Sequence, residues 1–134
     1  MPHADVDTVY FGGGTPSIIP SEYIAEIIEA LECRFNLISP EITIEINPCT
    51  VTEAKLNSYK IAGINRLSVG VQSGNNDELE FLGRSHSFEK AADTIILAAE
   101  TGFYNISCDL MIALKDQTFE KLECSVTNII NLPI

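Results

Sequence analysis

The apolar residues of this 134-residue chain change period repeatedly, from two to about 3.6 and back, and that switching limits the possible folds more than any other feature. Val6 to Phe11 is a short β-branched and aromatic run that stops at Gly12-Gly13-Gly14-Thr15-Pro16, the punctuation of a strand entering a loop. A helix follows to about Phe35, with Ser21 as its N-cap, Glu22 in the first turn, and Ile24, Ile27, Ile28, Leu31 and Phe35 on one face. Ile42, Ile44 and Ile46 alternate with Thr43, Glu45 and Asn47 as a second strand, closed by Pro48. The next helix starts near Thr52, turns Leu56, Tyr59 and Ala62 inward, and meets a left-handed cap at Gly63. Leu67, Val69 and Val71 alternate with Ser68, Gly70 and Gln72 as a third strand, followed by a polar turn and a short helix, about Asp77 to Leu82. Ser87 opens a longer helix whose stripe is Phe88, Ala91, Ala92, Ile95, Ile96 and Ala99 and whose terminator is Gly102. Ile106, Cys108 and Leu110 alternate with Ser107, Asp109 and Met111 in a fourth strand. The last helix, from about Thr118, sets Phe119, Leu122, Val126, Ile129 and Ile130 on one side.

Four β-α units imply parallel strands joined by crossovers, hence an α/β sheet or a piece of a β/α barrel. Strands covered by helices on both faces read as unbroken Val/Ile/Leu runs, and these do not. In three of the four, one face is aliphatic and the other is Thr43/Glu45, Ser68/Gly70/Gln72 and Ser107/Asp109. A polar second face looking inward fits a barrel wall better than a doubly wound sheet.

Composition removes several classes of function. With 46% apolar and 20% charged residues the chain is too greasy for disorder, and it lacks the run of about 20 apolar residues that spans a membrane. Eight Lys and Arg against 19 Asp and Glu give a net charge of −11, which repels phosphate backbones, so no nucleic-acid partner is expected. Cys33, Cys49, Cys108 and Cys124 form no C-x-x-C or C-x-x-x-C pair, and His3 and His86 lie far from them, so no metal-site spacing exists. The N-terminus has no charged-then-apolar signal pattern, and a reduced, cytoplasmic protein is expected, with each cysteine a small buried or half-buried hydrophobe.

Ligand sites in parallel α/β architectures gather at the carboxyl ends of the strands. The glycine triplet falls there, as do Glu45, Gln72 and Asp109, whose shared parity sends them to one side of the sheet. A glycine triplet either makes a tight turn or bares backbone N–H donors to an anion; it matches neither G-x-G-x-x-G nor a phosphate loop. Glu45 and Asp109 are either carboxylates held by a neighbouring cation or acceptors for a ligand amine or vicinal hydroxyls. Arg84 is a solvated charge or a bidentate carboxylate partner. His86 caps or packs rather than catalyses.

Five segments in order carry a resemblance: Val9-Tyr10-Phe11-Gly12-Gly13-Gly14-Thr15-Pro16-Ser17, Glu45-Ile46-Asn47-Pro48, Asn65-Arg66-Leu67-Ser68-Val69-Gly70-Val71-Gln72-Ser73, Leu82-Gly83-Arg84-Ser85-His86-Ser87 and Asn105-Ile106-Ser107-Cys108-Asp109-Leu110. The chain resembles the middle third of the oxygen-independent coproporphyrinogen III oxidase-like radical S-adenosylmethionine (SAM) proteins. The resemblance implies a partial (β/α)6 barrel that holds SAM against a [4Fe-4S] cluster, where SAM is cleaved to a hydrogen-abstracting 5′-deoxyadenosyl radical. It makes residues 1–134 the central part of that barrel domain, truncated at both ends. Residue by residue, it implies that Gly13, Gly14 and Thr15 receive the methionine end of SAM and that Glu45 binds its amino group or hydroxyls. Gln72 and Asp109 are then ribose-side contacts and Arg84 the partner of the SAM carboxylate.

The chain also departs from the pattern. The family's cluster motif C-x-x-x-C-x-x-C precedes the glycine triplet and is absent before Gly12, so Met1 reads as the start of a fragment, with no cluster ligands and no radical chemistry expected of it. Gly74 stands where Phe is common. Where the family has an aromatic and Gly-Leu-Pro-Gly-Gln-Thr, this chain has Ile112-Ala113-Leu114-Lys115-Asp116-Gln117-Thr118, which makes an altered loop the expectation. The resemblance leaves three roles open: an oxidase that decarboxylates coproporphyrinogen, a haem-delivering chaperone branch, and an inactive β/α module that self-associates through open sheet edges.

Overall fold

The structure, a computed structural model, describes residues 4–134; Met1, read above as the start of a fragment, and His3 lie outside the described residues. Four parallel strands, β1 (Asp5–Phe11), β2 (Asn36–Ile46), β3 (Arg66–Gln72) and β4 (Ile106–Leu110), pair in chain order. Parallel neighbours need long crossovers. These are a 3-10 turn (Pro16–Ile18) with helix α1 (Ser21–Glu32), then α2 (Glu53–Ile61), then α3 (Asn76–Phe81) with α4 (Phe88–Glu100); α5 (Phe119–Ile130) follows β4. The architecture is α/β, a partial barrel of four β-α units.

One face of the sheet is sealed by helices. Ile42, Ile44 and Ile46 of β2 and Leu67, Val69 and Val71 of β3 are buried against Ile24 and Ile28 of α1, Leu56 and Tyr59 of α2, and Ala91, Ile95 and Ala98 of α4. Each such aliphatic side chain contributes roughly 1.5–3 kcal/mol on burial, so this cluster is the main source of stability. Helix starts are fixed locally: the Thr52, Ser87 and Thr118 hydroxyls accept from the N–H of Lys55, Lys90 and Lys121. Gly63 and Gly102 take the left-handed φ, +99° and +85°, foreseen at the ends of α2 and α4.

The expected boundaries and faces shift in five places. Pro20, not Ser21, is the N-cap of α1, and Ser21 is its first helical residue; the helix ends at Glu32, which leaves Phe35 at the surface. Ile27 is exposed as well, because only Ile24 and Ile28 reach the sheet. β2 begins six residues before Ile42. Its first half pairs with the start of β1, and Ser39 at φ +45° beside Pro40 breaks the register there, which hides the strand from a period-two reading. In α4, Ile96 is exposed and Thr94 takes the inward position, its Oγ1 donating to the Pro48 and Lys90 carbonyls at 3.1 and 2.9 Å. In α5 the buried residues are Ser125 and Ile129, while Phe119, Val126 and Ile130 point away from the sheet. The cysteines also differ from expectation. Cys33, Cys49 and Cys124 are exposed because they sit past α1, past Pro48 and on the outer side of α5, and only Cys108 is half-buried.

Two departures from the family pattern acquire a physical meaning. A Cβ at Gly74 would lie 2.7 Å from the Cα of Ser125, and the Gly74 N–H donates to Ser125 Oγ at 2.9 Å, so α5 packs directly on this turn. In the loop after β4, Ala113 and Asp116, the two residues at the family's glycine positions, have φ of +61° and +60°. The altered loop therefore retains glycine-type backbone at both, a conformation that costs an L-residue roughly 1–2 kcal/mol. Ala113→Gly should raise the melting temperature by about 3 °C in differential scanning calorimetry, and Asp116→Gly should do so by less, since Asp tolerates this region better.

His86 packs against the end of β3, as expected. It is 5% exposed and its Nε2 lies 3.3 Å from the Val71 carbonyl. Burial holds the imidazole below its ordinary value, although the Val71 carbonyl pulls the other way. The unfolded chain therefore takes up the proton first. The stability tied to a neutral His86 is complete above about pH 6.5 and is lost as pH falls through the lower folded value. Urea titrations at a series of pH values should show stability declining below about pH 6.5, and His86→Asn should flatten that limb.

Candidate active site

The polar face is knitted together across three strands, β2, β3 and β4. Arg66, at the start of β3, donates to Thr43 Oγ1 at 3.3 Å and to Ser107 Oγ at 3.1 Å, and pairs with Glu41 at 3.7 Å. One step further along, Ser68 Oγ lies 3.2 Å from both carboxylate oxygens of Asp109. Thr43 and Ser68 are buried on this face. The inward polarity inferred from alternation is thus a connected hydrogen-bond layer running from β2 to β4.

Above that layer, at the carboxyl ends of the strands, lies an open pocket of about 220 Å³. Gly14, Thr15, Glu45, Gln72, Arg84 and Asp109 line it, six of the seven residues singled out from sequence. The seventh, Gly13, joins it indirectly by donating its N–H to Glu45 Oε2 at 3.3 Å. Gly13 and Gly14 have φ of +87° and +62°, and a Cβ on either would point into open space. Gly13 and Gly14 therefore make a left-handed turn that is open to a ligand. Its far side is anchored: buried Ser17 accepts from the Asn47 N–H at 3.0 Å and the Thr50 hydroxyl at 2.6 Å, and its carbonyl accepts from Lys55. Burial pushes the Lys55 ammonium below its usual value.

Gln72 reaches the pocket through an unusual backbone. Its φ is +73°, and its amide folds back over residue 70, where a Cβ would stand 2.9 Å from Nε2. Gly70 is thus the space that admits Gln72, and the Gln72 carbonyl still accepts from the Met111 N–H at 2.9 Å. Chemically the pocket combines two carboxylates, a guanidinium, two amides and glycine backbone. That set suits a ligand carrying an ammonium, a carboxylate and hydroxyls.

Sequence reasoning passed over Tyr10, Ser68 and Asn47. Tyr10 donates its phenol to Glu45 Oε1 at 3.0 Å, and Asn47 lines the pocket beside Glu45. The signal for Tyr10 was present, since it shares the inward parity with Gly12, but an aromatic within a β-branched run reads as core.

The thiols do not assemble a metal site. Cys108 lies on the helix-covered face of β4, where burial and then the Asp109 charge push its thiol to about 11. Among the described residues no group of three His, Cys, Asp or Glu is placed to hold a metal ion, and no helix is long and apolar enough to cross a membrane.

Comparison with known proteins converges on one family. The model of the radical SAM superfamily matches residues 2–126. The radical S-adenosyl methionine domain-containing protein 1, mitochondrial, of Danio rerio is 40% identical over 84% of this chain and 26% of its own length. The heme chaperone HemW of Escherichia coli is 37% identical over 87% of this chain and 31% of its own. Among solved structures, coproporphyrinogen III oxidase (HemN) from Escherichia coli superposes with a TM-score of 0.84 at 28% identity, covering 95% of this chain and 30% of that one. The chain thus spans about a third or less of each of these relatives. With a matching family model over nearly its whole length and the same partial barrel, the chain belongs to the radical SAM superfamily.

Proposed function

We propose that residues 1–134 are the central, SAM-binding part of a radical SAM (β/α)6 barrel, truncated at both ends, and that the pocket at the carboxyl ends of β1 to β4 takes SAM. The observation that carries this reading is the meeting of Gly14, Thr15, Glu45, Gln72, Arg84 and Asp109 around one pocket from five separate stretches of chain. Their chemistry fits SAM. The open turn at Gly13, Gly14 and Thr15 receives the methionine end, Glu45 accepts from the amino group, and Arg84 holds the carboxylate as a charge-assisted pair. Gln72 and Asp109 take the ribose hydroxyls, with Ser68 holding Asp109 in place.

In this family SAM, bound at a reduced [4Fe-4S] cluster, supplies hydrogen-abstracting radical chemistry. The residues of this chain do not fit the cluster: its four thiols are scattered over the helix-covered face and the surface, and Fe-S ligation needs clustered thiolates. What the chain itself contributes is binding and orientation of the nucleoside and the amino acid end.

The parent role is haem-related: coproporphyrinogen oxidation, with a porphyrinogen as substrate, or haem delivery, with haem as cargo. Identities of 37% to the E. coli haem chaperone and 28% to the E. coli oxidase favour the chaperone-like branch. Three exposed free thiols suit a reducing compartment such as the cytoplasm. A second reading, a module that self-associates, is favoured by the outer edges of β1 and β4 and by exposed Phe119, Val126 and Ile130.

Isothermal titration of the chain with SAM should show weak binding without cleavage of SAM, and Asp109→Ala should weaken it about tenfold, as expected for loss of a hydrogen bond to a charged group. Tight binding that Asp109→Ala abolishes would overturn the expectation of weakness alone, whereas no binding, or binding untouched by Asp109→Ala, would sink the assignment. For the second reading, sedimentation velocity at tens of micromolar should show a species heavier than 14.7 kDa, and a clean monomer counts against it.

A further inference from the structure

Glu45 is the acceptor on which recognition of the ligand's amino end depends, yet a glutamate has three rotatable side-chain bonds and here shares its pocket with a second carboxylate, Asp109. In a chain of net charge −11, nothing in the long-range field favours turning two carboxylates toward the same space. Something local must hold Glu45. Its Oε1 accepts the Tyr10 phenol at 3.0 Å, and its Oε2 accepts the Gly13 N–H at 3.3 Å. A Cβ on residue 12 would lie 2.7 Å from Tyr10 Cε1 and 3.0 Å from Glu45 Oε1, so glycine at that position is what lets ring and carboxylate meet. A carboxylate offers about four lone-pair sites, so these two donors still leave acceptors for an incoming ammonium.

We propose that Tyr10 is a positioning residue: its hydroxyl fixes the Glu45 carboxylate against the glycine turn, pre-orienting it for the α-amino end of the ligand. This rests on the SAM reading of the pocket. The phenol is well suited to the task, because it is a donor on a rigid ring with few rotamers, fixed to strand β1. It also remains protonated, since partial burial and the hydrogen bond to Glu45 both push it above the usual tyrosine range. Without the hydroxyl, Glu45 keeps only the longer contact to Gly13 and samples orientations that do not face the ligand.

The experiment uses the whole chain and NMR, with two probes. SAM carries the amino acid end on a sulfonium, and 5′-methylthioadenosine is the neutral thioether of the same nucleoside without it, so each probe is compared only with itself between wild type and variant. Tyr10→Phe should weaken SAM roughly fivefold to tenfold, the scale of one charge-assisted hydrogen bond, and leave 5′-methylthioadenosine within about twofold. In the Glu45→Gln background the same change should add little, as expected for two residues acting as a unit. A ligand-free readout accompanies these titrations: the Gly13 amide resonance should move in Tyr10→Phe, because that proton reports directly on Glu45. Equal SAM affinity in wild type and Tyr10→Phe overturns the proposal, as does parallel loss of both probes, which would make Tyr10 a residue of the fold. If SAM fails to bind the wild-type chain, the reading of the pocket falls, and an unmoved Gly13 amide would then separately dismiss Tyr10 as the residue that holds Glu45.

Discussion

A parallel strand in an α/β protein usually buries aliphatic side chains on both faces, but β2, β3 and β4 carry Thr43, Glu45, Ser68, Ser107 and Asp109 on one of them. Each polar group withdrawn from water without a partner costs about 1–3 kcal/mol, so that face is tolerable only if its groups satisfy one another. They do so in two tiers. Arg66 bridges β2 and β4 at the lower tier, and Ser68 reaches Asp109 at the upper one. The pocket is the point where this layer runs out of internal partners: Arg84 is exposed there and Asp109 still faces solvent. The polar lining of the pocket and the internal order of the sheet thus have a common origin.

The fold was largely legible because each element advertises its period. Ile42-Thr43-Ile44-Glu45-Ile46 and Leu67-Ser68-Val69-Gly70-Val71 place their side chains without ambiguity, and the capping residues Thr52, Ser87 and Thr118 mark helix starts through a local hydrogen bond that needs no tertiary context. Illegible elements were those decided by neighbours distant in sequence. The first half of β2 is a strand only because β1 lies beside it, and Ser39 and Pro40 disguise it. Apolar residues on the outer side of α5 follow helical periodicity as faithfully as buried ones do, and the pattern does not tell which side meets the sheet.

The site was legible to a similar degree and for a related reason. Parity sent Glu45, Gln72 and Asp109 to one side, strand-end position marked the glycine turn, and the family pattern gave Arg84 and that turn their roles; the pocket unites them. The parts left unread are pairings. No alternation pattern reveals that Gly70 is small because Gln72 folds over it, that Gly12 is small because Tyr10 meets Glu45, or that Ser17 is buried because Asn47 and Thr50 both donate to it. Such residues declare themselves only through the atoms that would collide or remain unpaired.

The loop after β4 holds a broader lesson. Ala113 and Asp116 accept a backbone that neither favours, and the shape is held from behind: Gln117 donates to buried Glu78, which also accepts from Ser73 and Asn75, while Met111 is tied to Gln72. The contour of the loop is therefore a property of its scaffold more than of its own letters. In such a segment the glycine signature can drift while the curve persists, so divergence in the motif overstates divergence in form. The record of this loop's shape then lies in the buried polar contacts beneath it rather than in its own residues.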